Sequence, residues 1–283
     1  MGRLLRGAGP TLGRRVTTAV VLGGLVAASL APTLLEGTSA PAVAAKPAAE
    51  GQPYAPNWFP QELLAWSPGS DPDAPYNRST TPLAGRVVDA QTTSNPEARP
   101  RKVMALSVFA DTDGNPAQGS AEFDYYTSEF WQYIDTLVFW GGSSGEGLIL
   151  APNPTVTDAA HRNGVPVYGT IFLPPTVYGG KLEWTEQLLQ RDASGNFPAV
   201  AKLAEVAQYY GFDGWFVNAE TEGADAELAA DMRDFLADLR ERTGVLWYDS
   251  MVESGQIAWQ NQLNDLNDAY FDVSDLMFLN YGW

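Results

Sequence analysis

Cysteine is absent from this 283-residue sequence, and histidine occurs once, at His161. The first absence excludes disulfides, thiol catalysis and zinc–thiolate sites, so stability has to come from burial of a core. The second argues against a histidine-rich metal site and against a serine–histidine triad. His161 lies in "AAHRNGVPVYG", where a helix is expected to end ahead of a strand, with the ring facing the last helical carbonyls. Basic residues are scarce too, 17 against 34 acidic ones, and they gather into no stripe. That balance argues against nucleic acid as a partner and for a neutral or cationic one. What the chain has in quantity is apolar surface. Hydrophobic residues make up 45% and aromatics 12%, enough to bury a sizeable core and to argue against disorder.

The basic residues that do occur early have a pattern. Arg3, Arg6, Arg14 and Arg15 precede the apolar run "VTTAVVLGGLVAASLAPTLL", which leads into small residues ending "APAVAA". This reads as an export signal over residues 1–44, with cleavage at Ala42-Val43-Ala44. The rival is a membrane anchor, because the run is near spanning length, but its Gly, Pro and Thr content and its small-residue exit favour cleavage. The expected location is therefore secreted or at the cell surface, with no membrane association after cleavage, or cytoplasmic if the leader is not used.

Residues 45–100 are rich in Pro, Ala, Ser, Asn and Asp and read as an extended N-terminal segment. Its Trp58, Phe59 and Trp66 are candidates for core packing ahead of ligand contact. From residue 101 to 283 a different rhythm sets in. The apolar runs "KVMALSVFA", "IDTLVFW", "VPVYGTIFL", "GFDGWFVNAE", "GVLWYDS" and "DLMFLNYGW" read as strands, separated by helical patterns such as "FPAVAKLAEVAQYY" and "DAELAADMRDFLADLRERTG". Alternation of this kind means an α/β fold with a parallel sheet. Six units would complete a doubly wound sheet, or leave an eight-fold (β/α) barrel two units short. No Gly-rich phosphate fingerprint follows the first strand, which counts against a nucleotide site. "DTDGNPAQGSAE" resembles a calcium loop, but Pro116 stands where Gly is needed, so a solvated turn is expected and no metal.

The strand ends carry polar and aromatic residues together: Trp140, Phe172, Asn218 with Glu220, Tyr248 with Asp249, and Asn280 with Tyr281 and Trp283. Flat aromatic faces with amides, carboxyls and a phenol suit a carbohydrate. Asn218 and Glu220 are two apart on a strand and so point the same way. Glu220 can act as a general acid if burial among Trp215, Tyr248 and their neighbours raises its pKa. Asn218 can be neither nucleophile nor base. An amide there suits a grip on the 2-acetamido group of N-acetylglucosamine, whose own carbonyl oxygen would then attack C1. Glu222 and Asp249 remain as second carboxyls for a conventional mechanism.

Taken in order, "AHRNGVPVYGT", "GFDGWFVNAE", "LWYDSM", "WQNQLN" and "FLNYGW" give a chain that resembles glycoside hydrolase family 85 over about residues 101–283. These are the endo-β-N-acetylglucosaminidases that cut the chitobiose core of N-glycans on glycoproteins. The resemblance implies a (β/α)8 TIM barrel, here incomplete at about six units, and no cofactor. It implies Glu220 as general acid/base, Asn218 as the residue orienting the acetamido group, and Tyr248 as a phenol near an oxazolinium intermediate. By position, Trp140, Phe172, Tyr178, Trp259, Asn280 and Trp283 are expected as subsite residues. Ala219 replaces the family's larger aliphatic and should face away from the site. Two rival readings stay open. A chitinase-like hydrolase would share the mechanism, and a carbohydrate-binding protein would share the lining without the chemistry.

Overall fold

The computed structural model describes residues 53–86, 102–108, 128 and 130–281. The leader, the calcium-like turn and Trp283 lie outside these residues.

The six expected strand runs form β2 (Met104–Val108), β3 (Thr136–Trp140), β5 (Val167–Leu173), β6 (Gly214–Ala219), β7 (Gly244–Tyr248) and β8 (Leu276–Phe278). They pair in parallel in that order. Two short strands were not legible in the sequence. β4 (Ile149–Leu150) lies antiparallel against Thr170 and Ile171 of β5, and carries β1 (Asn57–Trp58) on its other side. Strand β3 meets β5 only at Val167 and Tyr168, so β3 and β4 divide one flank of β5 between them.

Side-chain alternation sorts β6 into two cores. Trp215, Val217 and Ala219 pack outward with residues of α4 (Pro198–Tyr210) and α5 (Ala226–Arg240). Phe216 points the other way, into an inner cluster with Met104, Val138, Leu246, Tyr248 and Phe278. That cluster joins β2 to β8, the two ends of the parallel series, so the sheet is curled about a common interior. Among the described residues β2 and β8 do not pair with each other, and the curled sheet is open.

The helices that cover the outer face begin and end on local signals. Asp225 caps α5 by accepting from the N–H groups of Glu227 and Leu228. Helix α4 starts with Pro198 in its first turn and stops at Gly211, whose φ of 78° suits glycine and where a Cβ would press on the Ser79 carbonyl. The N-terminal segment 53–86 packs on this layer. Trp58 and Trp66 are buried, and both rings meet Tyr210, with centroids 6.0 and 5.5 Å away. Phe59 lies 5.1 Å from Trp184. All three aromatics therefore serve packing.

His161 corrects the reading of its sequence. It sits near the end of α2 (Pro154–Arg162), but its ring does not face the last helical carbonyls. Nδ1 is 2.7 Å from the Thr81 carbonyl oxygen and Nε2 is 2.8 Å from Asp213 Oδ2, so the buried ring ties the N-terminal segment to the turn before β6. The carbonyls of Ala160 and His161 are already taken by the N–H groups of Asn163, Val165 and Gly164. Two better acceptors, supplied by distant parts of the chain, outcompete the helix end.

Candidate active site

Strand β6 delivers the pair that the sequence singled out. Phe216, Asn218 and Glu220, spaced by two, line a cavity of about 140 Å³ together with Leu106, Trp140, Tyr248, Phe278 and Tyr281. The cavity thus sits at the C-terminal ends of the parallel strands, where the chemistry of such folds is concentrated. Tyr281 was among the strand-end residues that the sequence singled out, whereas Leu106, Phe216 and Phe278 were missed as lining. The period-two register of β6 would have found Phe216, two residues before Asn218. Nothing local marks Leu106, which comes from the far edge of the curled sheet.

Glu220 is held by its backbone N–H donating to the Leu173 carbonyl, 2.8 Å away, and by the Trp259 indole N–H donating to Oε1 at 3.0 Å. Burial pushes its pKa up, the bonds from Trp259 and Asn218 pull it down, Glu222 pushes it up again, and the net direction is upward. A carboxyl shifted in this direction keeps its proton to a higher pH than an exposed glutamate does, which is what a general acid needs. The expected contribution of Trp215 is corrected. Its ring points outward and donates its N–H to the Leu203 carbonyl, and the apolar wall beside Glu220 is Phe216 instead.

Asn218 is buried, and its Oδ1 has no hydrogen-bond partner. A buried, unpartnered amide oxygen is costly to the fold and so points to a donor brought by a ligand. Ala219 faces the outer core, as expected, and its carbonyl accepts from the buried Ser250 hydroxyl at 2.5 Å.

Neither alternative carboxyl faces the cavity. Asp249 is fully buried and accepts from the N–H groups of Gln260 and Asn261 through Oδ2, and from Asn267 Nδ2 through Oδ1. Its pKa is raised, burial outweighing those donors. Glu222 accepts from the Thr176 N–H at 2.8 Å, which holds it below the usual carboxylate range. Both carboxylates fasten loops.

Tyr248 lines the cavity and donates its hydroxyl to Asn280 Oδ1 at 2.7 Å. Burial, and then the nearby Glu220, push its pKa up, so the phenol stays protonated. Trp140 lines the cavity and packs 5.0 Å from Phe172, which stands opposite Asn218 in the β5–β6 register. Trp259 reaches Glu220 from the loop after β7. The remaining expected subsite residues divide. Tyr178 is 73% exposed on the turn after β5, away from the cavity lining, and Asn280 spends its amide on Tyr248 and Asn261. Trp283 falls outside the described residues.

Comparison with known proteins places this geometry. The chain is 35% identical over 230 residues to a chicken (Gallus gallus) cytosolic endo-β-N-acetylglucosaminidase and 36% identical over 231 residues to the mouse (Mus musculus) protein of that name. Each alignment covers 79% of this chain but 30% and 29% of the relative. The glycoside hydrolase domain of Endo-D from Streptococcus pneumoniae superposes with a TM-score of 0.70 at 32% identity, over 82% of this chain and 38% of that one. The chain thus spans about a third of the length of the proteins it matches. The expected fold stands: an incomplete α/β barrel of the (β/α)8 type, open as described. The expected secretion is corrected, because the chicken and mouse relatives are both named cytosolic. The model of glycosyl hydrolase family 85 matches residues 109–283, and this chain belongs to that family.

Proposed function

We propose that this chain carries the catalytic centre of an endo-β-N-acetylglucosaminidase. It hydrolyses the GlcNAc-β-1,4-GlcNAc core of N-glycans on glycoproteins, with retention at the anomeric carbon. The observation that carries the reading is that Glu220 and Asn218 line one cavity, with Asn218 Oδ1 left without a partner, while Asp249 and Glu222 are tied elsewhere.

The chemistry follows from what each group can do. Asn218 Oδ1 accepts the acetamido N–H of the sugar, which fixes the acetamido carbonyl beneath C1 and makes its oxygen a better nucleophile. Glu220 gives its proton to the glycosidic oxygen as the C1–O bond breaks and the carbonyl oxygen bonds to C1. The bicyclic oxazolinium ion so formed needs no protein carboxylate as nucleophile. The Trp259 N–H supports the Glu220 carboxylate left behind. Glu220 then takes a proton from water, whose oxygen attacks C1 from the face that the leaving group vacated and restores the acetamido group. Trp140 and Phe172 offer aromatic surface beside the sugar ring.

The test uses the full chain and a Glu220→Gln variant, each incubated with a high-mannose glycopeptide and with chitooligosaccharides, with products weighed by mass spectrometry. The expected result is a peptide retaining one N-acetylglucosamine, formed by the parent and not by the variant. Cleavage of chitooligosaccharides alone would assign a chitinase-like hydrolase. Binding without cleavage would make the chain a carbohydrate-binding protein.

A further inference from the structure

Asn280 was expected to meet the substrate, yet both ends of its amide are engaged within the protein. Its Oδ1 accepts from the Tyr248 hydroxyl at 2.7 Å, and its Nδ2 donates to Asn261 Oδ1 at 2.6 Å. Asn261 has φ of 58°, the left-handed region that non-glycine residues seldom enter. Its backbone is kept there by Asp249, whose Oδ2 accepts from the N–H groups of both Gln260 and Asn261, 3.0 and 3.1 Å away. Asp249 is in turn fixed through Oδ1 by Asn267 Nδ2 at 2.8 Å. A fully buried carboxylate thus sets a strained loop residue, which sets an amide, which sets the phenol on the cavity wall.

We infer that Asn280 and Asn261 are positioning residues that aim the Tyr248 hydroxyl, with buried Asp249 as the anchor of the relay. The consequence for the phenol is directional. With its proton committed to Asn280 Oδ1, the oxygen presents lone pairs to the cavity, where positive charge develops at C1 and on the oxazolinium ring. A phenol released from Asn280 would turn its proton to the nearest acceptor, and the Glu220 carboxylate lines the same cavity. This inference rests on the hydrolytic reading of the site for its effect on rate, but the relay itself is independent of it.

The test is a set of double-mutant cycles on the full chain, joining Tyr248→Phe with Asn280→Ala and with Asn261→Gly. Glycine is at ease at positive φ, so Asn261→Gly removes the side chain while leaving the loop its conformation. In the Tyr248 background each single change should lower kcat on the glycopeptide about three- to tenfold, the worth of one net hydrogen bond, with KM little changed. In the Tyr248→Phe background the same changes should have no further effect on kcat. Melting temperatures of the same proteins supply a readout that needs no substrate, and there Tyr248→Phe and Asn280→Ala should be non-additive. Equal losses of kcat in both backgrounds, or additive melting shifts, would overturn the relay. If the parent protein cleaves nothing while the melting shifts are non-additive, the relay stands and the hydrolytic reading falls.

Discussion

Trp259 donates its indole N–H to Glu220 Oε1 at 3.0 Å although the tryptophan is 45% exposed on the loop after β7. A long aromatic side chain in that position would ordinarily fold back onto apolar surface. Here the loop is held from beneath by Asp249, and the indole is left to reach the carboxyl. The bond favours the ionised form of Glu220 and so opposes the upward push of burial.

Removing that bond should therefore move the titration of the acid in a known direction. In Trp259→Phe the donor is lost and the burial remains, so the Glu220 pKa rises further. The form that gives a proton is the protonated one, and the descending alkaline limb of kcat against pH should shift to higher pH. The variant's kcat at the plateau should fall about three- to tenfold, because the carboxylate left after proton transfer loses a partner. A limb that stays in place would mean that the indole does not act on the carboxyl in solution.

Asn218 makes the opposite trade visible. Its Oδ1 is buried without a partner, a condition that costs folding free energy until a ligand supplies a donor. Asn218→Ala should lower kcat about a hundredfold, as loss of a preorganised polar contact at the reacting group does. The melting temperature of the same variant should change little, since relief of the unpartnered oxygen offsets loss of the bond to Glu220. Kinetics on the glycopeptide and thermal unfolding of the free protein check the two halves separately. A large drop in melting temperature would assign the amide a structural duty instead.

The β/α alternation and the Asn218–Glu220 pair were legible because both are local. Strand runs announce themselves by apolar content, and period two fixes which residues share a face. What could not be read depends on contacts between distant segments. The β1–β4 pair consists of two-residue strands that no periodicity marks, and it comes with the packing of Trp58 against Tyr210, far away in sequence. His161 looked like a helix end and proved to be a clasp, since Thr81 and Asp213 are far from it in sequence. Asn280 looked like a ligand residue, and only the fold shows that Tyr248 and Asn261 already occupy its amide.

The far end of the curled sheet supports a prediction on packing. Tyr168 projects into the interior from β5, and a Cβ placed on Gly244 at the start of β7 would collide with its hydroxyl and ring. Gly244→Ala should cost about 1–3 kcal/mol in chemical denaturation, the range for overpacking. Tyr168→Leu combined with Gly244→Ala should recover most of that loss, giving a coupling free energy well outside additivity. Equal costs of the glycine change with and without the tyrosine would place the clash elsewhere.

His161 gives the protein a pH dependence with a definite sign. Both atoms its ring faces, the Thr81 carbonyl oxygen and Asp213 Oδ2, are acceptors, so the ring satisfies both only as imidazolium. Burial lowers its pKa, but the bonds to Asp213 and to Thr81, with the charges of Asp213 and Asp158, more than offset this and raise it. A histidine with a raised folded pKa contributes its full stability below the unfolded value of about 6.5, and loses it as pH climbs through the folded value. His161→Gln should cost about 1–3 kcal/mol in urea unfolding at about pH 6, and progressively less as the pH is raised and the parent ring gives up its second proton. A cost that stays the same as the pH is raised would mean that the ring is neutral in the fold. In that case one of its two bonds, to Thr81 or to Asp213, would have to be absent in solution.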